Sequence, residues 1–165
     1  MIILDNCATA FLKRGDEYLL MKRAANRKIA PGLWSGPGGH LEPHELNEPR
    51  SACLREVMEE TGISAEHISD LRLRYIILRR RGDSIRQHYV YFGATDAVEF
   101  ADCGEGTLHW IPEAELFKRE FTETFEAMLR HYTSAERDNE RVVAGVAGNV
   151  GGRLHMLWSA VEDFV

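Results

Sequence analysis

Between Pro49 and Gly62 the local choices narrow to one. Proline fixes its own φ and has no N–H to lose, so it suits the first turn of a helix. A glycine just past the last turn suits a left-handed stop. No other glycine or proline interrupts the segment, which predicts a single helix from Pro49 to Glu60. Its second half runs Leu54-Arg55-Glu56-Val57-Met58-Glu59-Glu60-Thr61-Gly62. At helical spacing Glu56, Glu59 and Glu60 share one face. Like charges three and four apart repel by about a few tenths of a kcal/mol per pair. Arg55 can pair with Glu59, which leaves two carboxylates uncompensated. A solvated charged face is one reading of that cluster. The other is a hard-cation site: Mg²⁺ and Mn²⁺ prefer carboxylate oxygens, and Mg²⁺ commonly bridges them to substrate phosphates.

Around this helix the chain reads mainly as strands and turns. Two apolar runs flank Arg14-Gly15-Asp16 and predict a hairpin. Residues 24–38 are rich in glycine and proline and read as loop. Two further strands, around residues 71–78 and 87–95, join through Arg80 to Asp83. An acidic loop follows, then a short strand through Trp110 and a helical turn after Pro112. Thr122 to Tyr132 reads as an amphipathic helix burying Phe125, Met128 and Leu129. The chain closes with a hairpin around a glycine-rich turn. Strands and helices mix without strict βαβ alternation, which favours an α+β fold. The 165 residues suggest one domain spanning residues 1–165.

A net charge of −6 disfavours long nucleic acids as partners, because sequence-independent binding needs clustered lysine and arginine. If phosphates are handled, a divalent cation is the natural source of positive charge. No apolar run is long enough to span a membrane, and no secretory leader is legible at the N-terminus. Three cysteines, Cys7, Cys53 and Cys103, have no paired spacing, which fits a reducing, cytoplasmic compartment better than a disulfide framework.

Upstream of the acidic helix sits Gly36-Pro37-Gly38-Gly39-His40-Leu41-Glu42-Pro43-His44-Glu45. Glycine loop, acidic helix and terminating glycine occur in the order of the Nudix hydrolase signature. That signature is a glycine, five residues, a glutamate, seven residues, then R-E-U-x-E-E-x-G-U with U aliphatic. Residues 39–63 resemble it. Gly39 opens the box, Glu45 follows after five residues, and Arg55 to Ile63 match every defined position of the second half. One departure stands out: nine residues, not seven, separate Glu45 from Arg55. A two-residue insertion between His44 and Glu48 accounts for it, and either Glu45 or Glu48 can then be the first glutamate.

The resemblance implies a mixed β-sheet between helices, with a loop–helix–loop metal site. It implies hydrolysis of a diphosphate linked to another moiety, with Mg²⁺, or Mn²⁺, neutralising phosphate oxygens while a carboxylate takes a proton from water. Glu56, Glu59 and Glu60 are the implied ligands, with the Gly39 carbonyl; Arg55 orients a helix glutamate. A further acid comes from a loop after the helix in many members. Asp96, Glu99, Asp102 and Glu105 are candidates, and Glu105, just before the tryptophan-containing strand, is the choice. Either Glu56 or Glu105 can be the general base. Arg23, at a strand end leading to the glycine loop, and the turn residues Gly38, Gly39 and His40 are the expected substrate contacts.

Other residues read as structural. Trp34 packs beneath the loop, Phe11, Tyr89 and Tyr91 belong to the core, and Asn26 serves a turn. His40 and His44 have zinc-like spacing, but Pro43 lies between them and no nearby cysteine joins them. Among Nudix groups the closest resemblance is to the MutT-like hydrolases of oxidised nucleoside triphosphates. The expected substrate is therefore a nucleoside triphosphate, with 8-oxo-dGTP as the best single choice. ADP-ribose or another nucleoside diphosphate derivative is the alternative. A non-catalytic, nucleotide-binding regulatory domain is disfavoured by the intact Arg-Glu-x-x-Glu-Glu set. The sequence leaves open whether the protein acts as a homodimer.

Overall fold

The computed structural model describes residues 1–26, 29–101 and 104–162. Its spine is strand β1 (Ile3–Arg14), which turns at Gly15 into β2 (Glu17–Arg23). The run Cys7 to Leu12 is buried on both faces, as expected of a strand with a helix on either side. Along one edge β1 pairs in parallel with β6 (Ser84–Thr95) from Ile3 to Lys13. Its other edge is shared. Leu12 to Arg14 pair with β2, whereas Cys7 to Thr9 pair with the short β4 (Gly38–His40). A second short strand, β3 (Trp34–Ser35), pairs with β2.

β5 (Ile68–Arg81) joins β6 through a turn at Gly82, and β7 (Gly106–Pro112) lies along β2. β8 (Val142–Val150) runs parallel to β5, and β9 (Arg153–Val161) closes the sheet as a hairpin partner of β8. Among the described residues the result is a nine-stranded mixed sheet, the α+β architecture expected.

Helix α1 (Pro49–Thr61) covers one face. Its buried stripe is made of small residues, Ala52, Cys53 and Val57, against Ala8 and Ala10 of β1. Small groups on both sides let helix and strand lie close. Gly62 ends the helix at φ 73°, and its N–H bonds to the carbonyl of Met58. Helix α2 (Glu123–His131) covers the opposite face through Phe125, Met128 and Leu129, against Phe11, Tyr75 and Phe92. Thr122 caps it, accepting a bond from the Phe125 N–H. A wide turn at Tyr132–Glu136 extends the helix. There Arg74 donates to the Glu136 carbonyl, and the Glu136 carboxylate takes two bonds from Arg141 at 2.7 and 2.9 Å. Among the described residues no helix is long and apolar enough to cross a membrane.

Two expectations change. Residues 34–35 and 38–40 are strands within a segment read as loop. Their pairing is set by the split edge of β1 and by β2, not by a local pattern. Both helices run one residue beyond or short of the sequence limits, as frayed ends do. Replacing Leu129, fully buried on the inner face of α2, by alanine should lower stability by about 2–5 kcal/mol, read from a urea unfolding curve.

Candidate active site

Arg55 organises the acids. Its Nε and Nη2 donate to the two oxygens of Glu45, both at 2.8 Å. Nη1 donates to Glu56 at 2.9 Å and to Glu59 at 3.1 Å. Nη2 also donates to the His40 carbonyl at 3.1 Å. Every one of the five N–H groups of a guanidinium is thereby used. The insertion is resolved in favour of Glu45: it is buried and held by Arg55, and it accepts from the Glu42 N–H at 2.9 Å. Glu48 is exposed at the start of α1, where its carboxylate accepts from the Ser51 hydroxyl at 3.1 Å. The extra residues are absorbed in the turn after Glu45.

The three helix acids share a face but not an environment. Glu59 is exposed, Glu56 half-buried and Glu60 buried. Glu56 lies against Gly39, where any Cβ would come within 2.4 Å of a Glu56 carboxylate oxygen. A side chain at this position would have to push the Glu56 carboxylate aside, away from the place where Arg55 holds it. Glu60 accepts the Gly38 N–H at 2.8 Å. That N–H is therefore committed to the helix, which leaves it no second strong acceptor.

Electrostatics separate the acids further. Hydrogen bonding from Arg55 holds the Glu45 carboxyl down at about 2. Burial pushes Glu56 up, against the pull of Arg55, and Glu59 and Glu105 add to the push. Glu60 is lifted to about 7, by burial first and then by Glu105 and Glu56, with the Gly38 bond and Arg23 opposing. Glu105 thus stands within electrostatic reach of Glu56 and Glu60. It is anchored just before β7, where its carbonyl accepts from the Ala24 N–H at 3.0 Å. Of the other loop acids, Asp96 pairs with His67 at 2.9 Å, Glu99 is exposed, and Asp102 lies outside the described residues. An all-oxygen donor set of this kind, short of positive charge, fits a hard divalent cation.

Arg23 ends β2 half-buried, with Nε on the Ile29 carbonyl at 3.0 Å. It lines a cleft of about 280 Å³ with Lys22, Gly104 and Thr107. A larger cavity, about 370 Å³, includes none of the box acids; Phe11, Arg74 and Tyr132 are among the residues that line it. The His40 ring turns away from the helix to Asp5, at 3.1 Å, and His44 pairs with Glu42 at 3.4 Å. Trp34 packs on the α2-side core with Arg119 over its ring, and Phe11 and Tyr91 are buried. Asn26 is exposed in a turn. The sequence did not point to Asp5 or Arg86. They meet only because β1 and β6 pair in register, and no local signal marks them.

A NUDIX domain family model matches residues 5–132. The m7GpppN-mRNA hydrolase NUDT17 of Bos taurus is 47% identical over 61 residues, 36% of this chain and 20% of that protein. The nucleoside triphosphatase NudI of Enterobacter sp. (strain 638) is 41% identical over 51 residues, 31% of this chain and 35% of that protein. The chain thus spans only about a fifth to a third of these curated relatives. The crystal structure of a MutT protein from Bacillus halodurans superposes with a TM-score of 0.73 at 18% identity, over 93% of this chain and 97% of that one. At that identity the likeness is one of fold.

Glu60 and Glu45 act oppositely on stability. Glu60 has its ordinary value of 4.5 raised to about 7 by folding, so between those values the folded chain holds a proton the unfolded chain has lost. Its contribution is present below about 4.5 and falls as pH rises towards 7. Glu45, held at about 2, stabilises above 4.5 and loses that contribution on acidification. Thermal unfolding of chelator-treated protein, compared with Glu60→Gln, reads the first sign. The variant, which keeps an oxygen for the Gly38 N–H, should gain stability over the parent as pH rises from about 5 to about 8.

Proposed function

Because a NUDIX domain model covers most of its length, this chain belongs to the Nudix family, and we propose that it hydrolyses a nucleoside triphosphate to the monophosphate and pyrophosphate with Mg²⁺. The observation that carries this reading is the carboxylate set fixed by Arg55, with Glu56 seated on Gly39 and Glu60 bonded to the Gly38 N–H. The named activity of the NudI relative supports the triphosphate as substrate class. Within that class an oxidised purine such as 8-oxo-dGTP is the substrate we favour, on the resemblance of the sequence to MutT-like hydrolases.

Glu56, Glu59, Glu60 and Glu105, with the Gly39 carbonyl, would hold the cation. Bound there, Mg²⁺ (or Mn²⁺) supplies positive charge to the phosphate oxygens. Water attacks phosphorus, the bridging P–O bond between the α- and β-phosphates breaks, and pyrophosphate leaves. A carboxylate, Glu56 or Glu105, accepts the proton that water gives up. Arg55 does not reach substrate, since its N–H groups are all engaged within the protein. It holds Glu56 and Glu59 at fixed angles while Glu45 anchors its other edge. Arg23, which lines the cleft beside Lys22, would meet phosphate. The His40 ring, paired with Asp5, must leave that partner to do so.

The purified chain is to be incubated with Mg²⁺ and a panel: ordinary and oxidised nucleoside triphosphates, ADP-ribose, a dinucleoside polyphosphate and a capped RNA end. Monophosphate plus pyrophosphate from a triphosphate is expected. AMP from ADP-ribose alone would replace the substrate class, and binding without turnover would replace the enzyme. Glu59→Gln, at an exposed position, should leave the fold intact. It should lower turnover at fixed Mg²⁺ by at least the ~10–100-fold typical of residues one shell out from a metal. Glu105→Gln should also slow turnover; an unaffected rate would move the fourth acid to Asp96, Glu99 or Asp102.

A further inference from the structure

On the α2 side of the sheet, beside Gly39 but turned away from the carboxylates, three residues of different chemistry converge. Cys7 of β1 and His40 of β4 are direct cross-strand partners. Asp5 lies two residues before Cys7 and so on the same face of β1. Asp5 Oδ1 stands 3.1 Å from His40 Nε2 and 3.6 Å from Cys7 Sγ. All three donor atoms lie within 4.8 Å of one another. We propose that Asp5, Cys7 and His40 form a second cation site, for a thiophilic divalent ion of the zinc class, separate from the carboxylate cluster.

Distance is the first argument. A tetrahedral ion with bonds of about 2.0–2.3 Å separates its ligand atoms by roughly 3.3–3.7 Å. Of the observed separations, His40 to Asp5 at 3.1 Å lies just below that range and Cys7 to Asp5 at 3.6 Å lies within it, and Cys7 to His40 is held under 4.8 Å. Ligand type is the second argument. Thiolate with imidazole selects zinc-class ions, whereas the acids of α1 offer oxygen only. The third is support around the ligands. Arg86 donates from Nε at 2.7 Å and Nη2 at 2.6 Å to the other Asp5 oxygen, Oδ2, which fixes the carboxylate and leaves Oδ1 aimed at Cys7 and His40. A ligating carboxylate held from behind in this way is the usual outer arrangement of a metal site. The strands themselves are pinned, because β1 is paired with β6 at Asp5 and Cys7 on one edge and with β4 at Cys7 on the other.

Carboxylate and thiolate are the anionic ligands, the carboxylate shared with Arg86, and the imidazole enters neutral with its N–H on Nδ1. The thiol proton is the one released. Cys7 is buried while His40 is exposed, so the site opens on the histidine side. That opening gives an entry path and a fourth position for water.

The test is Co²⁺ titration of the full chain under reducing conditions, with Mg²⁺ in excess to occupy the carboxylates. One equivalent of Co²⁺ should give a thiolate-to-cobalt charge-transfer band and intense tetrahedral visible bands, both removed by Zn²⁺. Cys7→Ser should abolish the charge-transfer band. His40→Ala, on an exposed side chain and safe for folding, should weaken Co²⁺ binding by ~10-fold or more, and His44→Ala should leave it unchanged. Only weak octahedral bands would overturn the proposal. So would a charge-transfer band that survives Cys7→Ser, because the thiolate would then be Cys53 or Cys103, the latter outside the described residues. None of these readouts depends on hydrolysis, so the site and the proposed activity stand or fall separately.

Discussion

One guanidinium holds the site together. Three glutamates and a backbone carbonyl converge on Arg55, and the cation is saturated by them. Bidentate pairing with Glu45 fixes the plane of the fork, and that plane decides where Glu56 and Glu59 point. The arrangement accounts for the cost of the acidic helix face. Repulsion on α1 is met from within by Arg55 for two of its acids. Glu60, which has no such partner, is buried against the Gly38 N–H and driven towards neutrality. A divalent cation at the same point would answer the charge that Arg55 leaves unmet.

Arg55 can do this only because the sheet brings β4 and α1 together. β1 gives half of one edge to β2 and half to β4, and the gap between them holds the turn at Gly36 and Pro37. Small side chains beneath α1 let the helix approach closely, and the absence of any side chain at Gly39 lets Glu56 lie on the strand. The acidic wall is thus defined as much by what is missing from β1, β4 and α1 as by the acids themselves.

Helix α1, its caps and the shared face of Glu56, Glu59 and Glu60 were legible in the sequence, because proline, glycine and helical spacing act locally. So was the Arg55–Glu59 pair. Its wider role was not, since Glu45 and the His40 carbonyl reach Arg55 through a turn whose length departs from the usual box. The choice between Glu45 and Glu48 needed the fold: burial and the Glu42 N–H select Glu45. Glu105 was chosen by resemblance, and its closeness to Glu56 and Glu60 appears only once β7 lies along β2. The strands at Trp34 and Gly38 were hidden because edge pairing of such short segments carries no pattern of its own. The neighbours of His40 were hidden for the same reason: His44 is near in sequence, but Cys7 and Asp5 are near in space.

The parallel pairing of β1 with β6 and of β5 with β8 also bears on how the molecule comes to exist. Asp5 meets Arg86 across 81 residues, and Lys13 meets Glu113 across 100. A chain dominated by such distant contacts must close large loops before its central strands are satisfied, which makes for slow, late and collective assembly. The acidic helix, with β1 and β4 beneath it, leaves the ribosome well before β6 and α2. Until those later elements arrive, β1 lacks its parallel partner and the cover of its other face, so Arg55 gathers its acids on a strand not yet held in place.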